Sequence, residues 1–388
     1  MSTAKLHELG EEPRRFLYLD IDSLPHEGFT SGLLIVMREM LRKLQEWGHE
    51  VKISSIAESK SKTGIHERKE ANIQIAANYL PSLTEDIEAA RKAVQEALVD
   101  YGPDIIFMNT PAVFFNDVHT EALRMAIRTQ RRVVMIVVDE LFPTENNFPK
   151  DKVDEYYELL RSENVLTYGG SNRIASKFHQ TSGASVNHLP QLFNPDEIIA
   201  RRRDNRYITL VNTHPIKGVS VFNETAKALP EKEFMIVESW TDVPDYHAPT
   251  SNITKRSIFK HPKDLYEATR ILLVPSLCEE GASRVAVEAM TNGIPVIAHR
   301  IGSLPEIGGK SIHLVDPPNI KGYRFEGTIM YPIIDDQDIR QTATSFVRKI
   351  TEIDSDYNDF SEQAKEAGLR YCKENEEEFE RLAKMWII

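Results

Sequence analysis

Pro275-Ser276-Leu277-Cys278-Glu279-Glu280-Gly281-Ala282-Ser283-Arg284-Val285-Ala286-Val287-Glu288-Ala289-Met290 runs straight into Thr291-Asn292-Gly293-Ile294-Pro295-Val296-Ile297-Ala298. Just ahead of it, Ile271-Leu272-Leu273-Val274 is an all-apolar run, suited to a parallel strand buried on both faces. Pro275 and Ser276 end that strand. From 283 to 291 the apolar residues Val285, Ala286, Ala289 and Met290 fall on one stripe at helical spacing. Arg284 and Glu288 are i and i+4, so they share the opposite face. Asn292-Gly293 is a helix stop, because glycine enters the left-handed C-terminal conformation cheaply. Residues 294–298 read as the next strand. The first turn of the helix aims unsatisfied N–H groups and a partial positive charge at the strand end, where an anion is readily held. Gly281 allows close backbone approach there.

Outward from this window the same alternation recurs. Strands are expected at 16–21, 51–54, 105–108, 133–138 and 165–168, with helices at 32–47, 85–101 and 119–131. After a break at 190–206, which holds two prolines and Arg201-Arg202-Arg203, it restarts with strand 207–211, helix 219–229 and strand 234–237. Such βαβα order implies parallel, doubly wound α/β sheets. A charged helical stretch at 357–386 closes the chain, and Asp335-Asp336-Gln337-Asp338 reads as another helix start.

Composition sets bounds. A chain of 388 residues exceeds one ordinary core, so two domains are expected. The net charge of −12 argues against nucleic acid as a partner. Two distant cysteines, Cys278 and Cys372, give no disulfide framework and suit a reducing compartment, hence a cytoplasmic expectation. Residues 1–15 are polar and charged, unlike a secretory signal, and no apolar run reaches the roughly 18 residues of a membrane span.

The opening segment resembles the signature of the retaining, nucleotide-sugar-dependent glycosyltransferases of the family-4 type. Their pattern is Pro-Ser, a short gap, Glu-Gly-Phe-Gly, then a second Glu after seven intervening residues, followed by Ala-Met. Glu280 and Glu288-Ala289-Met290 keep this spacing. The resemblance implies a GT-B fold: two Rossmann-like doubly wound domains, an interdomain cleft, and a C-terminal helix crossing back to the first domain. The expected boundaries are 14–195 for the acceptor domain, 205–370 for the donor domain and 371–388 for the crossing helix. It also implies that Glu280 orients the donor sugar and that Glu288 bonds the ribose hydroxyls. The backbone at Gly281, Ala282 and Ser283 would face the diphosphate. Ala282-Ser283 replaces the usual Phe-Gly, and Arg284 stands where an apolar residue is common.

A second segment, Thr209-Leu210-Val211-Asn212-Thr213-His214-Pro215-Ile216-Lys217-Gly218-Val219, resembles the family's strand followed by Gly-Arg-Leu, a gap and Lys-Gly. Lys217 takes the place of the lysine that neutralises the diphosphate, a suitable point charge. The partner arginine position reads Asn212, and Arg284 is the candidate replacement. If so, Arg284→Ala is expected to cost turnover at a normal melting temperature; otherwise Arg284 is a surface i,i+4 partner of Glu288 or Glu280. Pro25-His26-Glu27-Gly28-Phe29-Thr30-Ser31-Gly32, with Gly48-His49-Glu50-Val51 beyond, resembles the first-domain glycine loop, so Gly32 joins the candidate donor contacts. Asp20, Asp22 and His26 fall near the same sheet edge. The His-Asp of many members reads Val138-Asp139-Glu140, leaving Asp139, Glu140 and Asn109 as acceptor-side candidates or ordinary caps and surface charge. Lys260 and His261 are candidates for the nucleobase, and Trp240 for a wall of the nucleotide site or simple packing. Gly302-Ser303-Leu304-Pro305-Glu306 resembles a supporting Gly-Gly-x-Pro-Glu turn.

The implied activity is transfer of a sugar from a nucleoside diphosphate sugar to an unidentified acceptor, with no cofactor and no metal required. The acceptor could be a saccharide, a lipid-linked saccharide, a natural product or a peptide. The basic islands at 201–203 and at Arg128, Arg131 and Arg132 are either solvated charge or contacts with an anionic membrane surface. Two other classes stay open: a non-catalytic nucleotide-sugar-binding protein, and a nicotinamide-dependent oxidoreductase. The second lacks a Gly-x-Gly-x-x-Gly loop after the first strand.

Overall fold

The structure, a computed structural model, describes residues 12–21, 32–59, 61–70, 72–111, 115–137, 140, 142–201, 204–238, 246–326 and 329–387. Asp22, the 25–31 loop, Asp139, Trp240, Arg202 and Arg203 lie outside the described residues. The chain divides into two compact units, Met1–Leu192 with Glu376–Ile388, and Phe193–Asn375.

The first unit runs β1 (Arg15–Ile21), α1 (Gly32–Glu46), β2 (Glu50–Glu58), β3 (Gly64–Glu70), β4 (Ile73–Leu80), α2 (Ile87–Tyr101), β5 (Ile105–Asn109) and α3 (Asp117–Arg128). It continues with β6 (Arg132–Val137), α4 (Lys150–Leu160), β7 (Val165–Gly169), α5 (Asn172–Ser182) and β8 (Val186–His188). The strands form one sheet in the order β3-β4-β2-β1-β5-β6-β7-β8. Alternate residues of β1 feed opposite faces. Leu17 and Leu19 pack with Ala90, Leu98, Val118, Leu123 and Phe178 of α2, α3 and α5. Phe16 and Tyr18 pack with Leu34, Met37 and Leu41 of α1.

The strict strand–helix alternation expected from sequence fails once in this unit. β3 pairs antiparallel with β4 across Asn72, which holds a left-handed φ of 66°. Its sequence, Gly64-Ile65-His66-Glu67-Arg68-Lys69-Glu70, has little apolar content because it is a nearly fully exposed edge strand. Charge at such an edge discourages pairing with other chains, and it also erases the hydrophobic signal of a strand.

The second unit contains α6 (Pro195–Ile198), β9 (Tyr207–Val211), α7 (Val219–Ala228), β10 (Phe234–Val237), β11 (Ile253–Arg256), α8 (Pro262–Ala268), β12 (Thr269–Val274) and α9 (Arg284–Thr291). After these come β13 (Val296–His299), β14 (Ile312–Val315), β15 (Gly322–Glu326), β16 (Ile329–Ile333), α10 (Asp336–Ser355) and α11 (Tyr357–Ile387). Its main sheet has the order β11-β10-β9-β12-β13-β14, and every pairing is parallel. α8 and α9 cover one face through Leu265, Tyr266, Ala286, Ala289 and Met290. α7 and α10 cover the other through Val221, Phe222, Phe346 and Ile350. The strand order reverses between β9 and β12, and open α/β sheets bind ligands outside the strand ends at such a switch point. β15 and β16 form a separate antiparallel hairpin, a second departure from the expected alternation.

α10 begins where the acidic run was read, with Asp335 at its N-cap and Asp336 and Asp338 in its first turn. The last residues of α11 contribute Phe379, Leu382, Ala383 and Trp386 to the core of the first unit. There the Trp386 indole N–H donates to the Tyr168 hydroxyl at 2.9 Å. Arg132, read as part of a basic island, donates to the Met385 and Trp386 carbonyls. It therefore complements the negative end of the helix rather than forming a free patch. No helix among the described residues is long and apolar enough to cross a membrane.

Candidate functional site

Two strand ends meet at the switch point of the second unit. After β9, Asn212 takes a left-handed φ of 83°, and its side-chain oxygen accepts the His214 amide at 2.8 Å. The chain then turns through the short 3-10 segment Pro215–Lys217 into Gly218. Gly218 has φ of 85°, and a Cβ there would overlap the Pro275 carbonyl oxygen at the end of β12. The Leu277 amide donates back to the Ile216 carbonyl at 2.7 Å. Lys217 and Glu280, 63 residues apart, are thereby brought together, with Nζ 2.7 Å from Oε1. The Ser276 hydroxyl donates to the same carboxylate oxygen. From behind, Gly302 (φ 58°) leaves room for the Glu280 backbone, and the Ser303 amide donates to the Glu280 carbonyl at 2.8 Å.

Burial pushes the Glu280 carboxyl up, but the Lys217 ammonium and the two hydrogen bonds outweigh it and hold it below the ordinary glutamate value. Burial likewise lowers the Lys217 ammonium, yet Glu280 and Cys278 raise it above the ordinary lysine value. Both groups are therefore charged at neutral pH. Glu280 has 11% of its side chain exposed and Lys217 28%, so a ligand can reach both.

Four residues past Glu280 begins α9. Ser283 occupies the N-cap position but makes no cap bond. Its hydroxyl is buried and has no hydrogen-bonding partner among the described residues. The first turn carries no acidic side chain. An uncapped helix start with a buried, unused hydroxyl is set up for an external acceptor such as a phosphate oxygen.

Arg284 and Glu288 differ from the surface pair that sequence allows. Both are buried, at 9% and 8% exposed. Arg284 Nε lies 3.3 Å from Glu288 Oε1, and the guanidinium stacks over Phe193 at 4.3 Å from the ring centroid. Glu288 Oε2 also accepts the Tyr266 hydroxyl at 2.8 Å. Burial and the neighbouring Glu288 keep that phenol protonated, well above its ordinary value. The structure thus gathers Arg284, Glu288, Tyr266 and Phe193 into one cluster, and Lys217, Glu280 and Ser276 into another. Tyr266 and Phe193 are not among the site residues expected from sequence, and Ser276 is expected there only as a strand end and part of the Pro-Ser pair. Phe193 and Tyr266 are single residues remote from the motif, and only Ser276, inside the Pro-Ser pair, carried a signal.

Lys260 and His261 are exposed, just ahead of α8, the helix that carries Tyr266. Gly32 opens α1 in the first unit, where an added Cβ would touch nothing within 4 Å. At the first unit's own switch point, between β1 and β5, Asp20 is fully buried. It accepts Ser55 Oγ at 2.7 Å and the Tyr18 hydroxyl at 3.2 Å, and Tyr18 also donates to Asn109 at 3.0 Å. Glu140 is ion-paired to Lys177 and Arg173 of α5. Among the described residues no group of three or more His, Cys, Asp or Glu side chains could hold a metal.

Residues 206–324 match the family described as Glycosyl transferases group 1. No curated protein sequence matches the chain. Solved structures similar along the whole length include sucrose-phosphate synthase from Thermosynechococcus elongatus, at 14% identity and TM-score 0.70, with 96% of this chain and 98% of that one covered. Another is the Anabaena protein Alr3699/HepE in complex with UDP, at 15% identity and TM-score 0.69, covering 95% and 100%. A third is the trehalose-6-phosphate protein of E. coli bound with UDP-2-fluoro glucose, at 12% identity and TM-score 0.65, covering 96% and 99%. Two Rossmann-like sheets and these likenesses give the chain the GT-B fold, and residues 206–324, which run through the switch-point site, match the glycosyl transferases group 1 family. The family match spans the Lys217 turn, the Glu280 turn and all of α9.

Proposed function

We propose that this chain transfers a sugar from a nucleoside diphosphate sugar to an acceptor nucleophile with retention of anomeric configuration. The observation that carries this reading is the Lys217–Glu280 pair at the β9/β12 switch point, with Glu280 four residues ahead of an uncapped helix start. A neighbour of the same fold, the Anabaena protein Alr3699/HepE, is solved in complex with UDP and with UDP-glucose, which supports a nucleotide-sugar donor.

In this reading the bond between the sugar's anomeric carbon and the diphosphate oxygen breaks, and a bond to the acceptor oxygen forms on the same face. The acceptor's proton leaves with the diphosphate or to solvent. Charge develops on the departing phosphate oxygen. Lys217 and the first-turn amides of α9 are aimed where that charge appears, which is how a preorganised site lowers a barrier. Glu280, anchored by Ser276 and by Gly302-Ser303, orients the sugar hydroxyls. Glu288 accepts the ribose hydroxyls, with Tyr266 and Arg284 fixing its carboxylate. Asn212 has its carboxamide oxygen engaged within its own loop, so its part is to shape the turn that presents Lys217. Lys260 and His261 border the nucleobase side. Gly281 and Ala282 contribute backbone around the phosphates. The two free thiols fit a reducing compartment, the cytoplasm, and Arg128 and Arg131 remain for contact with an acidic membrane surface or acceptor.

A screen of nucleotide sugars for slow hydrolysis, read as release of the nucleoside diphosphate, tests the reading. The wild type is expected to hydrolyse one donor, and Lys217→Ala to lose about 100-fold in turnover, comparable to losing one oxyanion-type donor. Equal turnover in the two proteins would refute the diphosphate role of Lys217. Donor binding without turnover in the presence of any acceptor would identify a binding protein instead.

A further inference from the structure

The turn that carries Glu280 is irregular, and two of its consecutive carbonyls are held by side chains from outside it. The Ser276 carbonyl lies 2.8 Å from Nδ1 of His299, the last residue of β13. The Leu277 carbonyl accepts the Tyr323 hydroxyl at 2.8 Å, from β15 of the hairpin. The hairpin's second strand, β16, packs on the Pro215–Lys217 segment, so one small element touches both halves of the Lys217–Glu280 pair.

We propose that His299 and Tyr323 are positioning residues that fix the Ser276–Glu280 turn in the geometry needed to orient the donor sugar. The proposal rests on the donor-site reading above.

Chemistry argues that His299 is placed for this bond and not for packing. A carbonyl can only accept, so the proton sits on Nδ1 and Nε2 presents a lone pair. His299 is fully buried, and Nε2 has no hydrogen-bonding partner among the described residues. An unsatisfied buried polar atom is costly. Phe346, edge-on at 5.2 Å between centroids, would pack an aliphatic side chain equally well. What the imidazole supplies and an aliphatic residue lacks is a donor to the carbonyls of this strand end, Ser276 at 2.8 Å with Pro275 beside it. Ser276 in turn donates its hydroxyl to Glu280. The order of influence is therefore His299, Ser276, Glu280 and Lys217. Tyr323 acts on the next carbonyl, and its ring is 40% exposed, so removing its hydroxyl alone leaves the core untouched.

The test compares wild type with His299→Leu, His299→Asn and Tyr323→Phe by calorimetry. UDP, ADP and GDP are the first probes, followed by the sugar conjugates of whichever base binds. An asparagine places its N–H near the Nδ1 position, so His299→Asn is the rescue variant. Wild type and His299→Asn are expected to bind the nucleotide sugar alike. His299→Leu and Tyr323→Phe should keep the nucleoside diphosphate affinity and lose about tenfold for the sugar conjugate, the factor that a lost hydrogen bond of about 1.4 kcal/mol corresponds to. A merely structural role would lower the melting temperature and weaken both ligands together. Tyr323→Phe with wild-type affinity for the sugar conjugate overturns the proposal, even if His299→Leu fails to fold. Failure of the wild type to bind any of the three nucleoside diphosphates overturns the donor-site reading itself, a separate outcome.

Discussion

Arg284 shows how a single residue changes meaning once its surroundings are known. In the sequence it is either a relocated phosphate ligand or a surface partner, and in both cases its removal leaves stability alone. In the structure it is buried against Glu288 and Phe193, so truncating it strands the Glu288 carboxylate. Removing one member of a buried pair costs about 3 kcal/mol or more. Arg284→Ala is therefore expected to unfold at clearly lower urea concentration, with Arg284→Lys intermediate because it keeps the charge but not the flat face over the ring. An unchanged melting curve would return Arg284 to the surface. The i,i+4 spacing was legible, but burial was not. What buries the pair is Phe193, 91 residues upstream, and Tyr266 on another helix. No local pattern encodes such contacts.

Elements divide by how much of their signal is local. β9, β12 and β13 are apolar runs buried on both faces, and helix α9 announces itself by stripe and stop, so all four were readable. β3 and β15 are exposed and polar or aromatic, and periodicity has nothing to register in them, while their hairpin partner β16 is half-buried, short and interrupted by Pro332. The hairpin matters most, since it touches the Lys217 turn and the Leu277 carbonyl. Element ends also carry a pH dependence. His119, at the start of α3, and His299, at the end of β13, are both buried, and burial lowers each imidazole to about 4. In the unfolded chain they take up protons near pH 6.5, and in the folded chain not until about 4. Between those values the unfolded state binds more protons, so stability falls as pH drops. The loss is about 3 kcal/mol per residue by pH 4. Urea titrations from pH 7 to 4.5 should show this slope, and His119→Gln should reduce it. A flat profile would mean that these imidazoles are not held neutral.

On the scale of the whole molecule, sequence reading gave two doubly wound units and a closing helix. The second unit was the more legible because its ligand-binding turns follow strand ends at the switch point, where motif and topology coincide. The first unit was less so. Its polar cluster of Tyr18, Asp20, Ser55 and Asn109 is assembled from three strands, and several candidate residues lie outside the described ones. The C-terminal end of α11 completes that unit's core. Trp386→Ala removes a fully buried indole and its bond to Tyr168, at a cost of about 3–5 kcal/mol. The expected result is a lower melting temperature and faster proteolysis, and resistance equal to wild type would show that the end of α11 is dispensable. The central claim is that the Lys217 and Glu280 turns with α9 form a site for a nucleoside diphosphate. Calorimetric titration of UDP, ADP and GDP into wild type and Lys217→Ala tests it most directly. The account predicts that wild type binds at least one of them and that Lys217→Ala binds it at least about tenfold more weakly, as expected for a lost charge-assisted phosphate contact. Binding of none by wild type, or equal affinity in the two proteins, would contradict it.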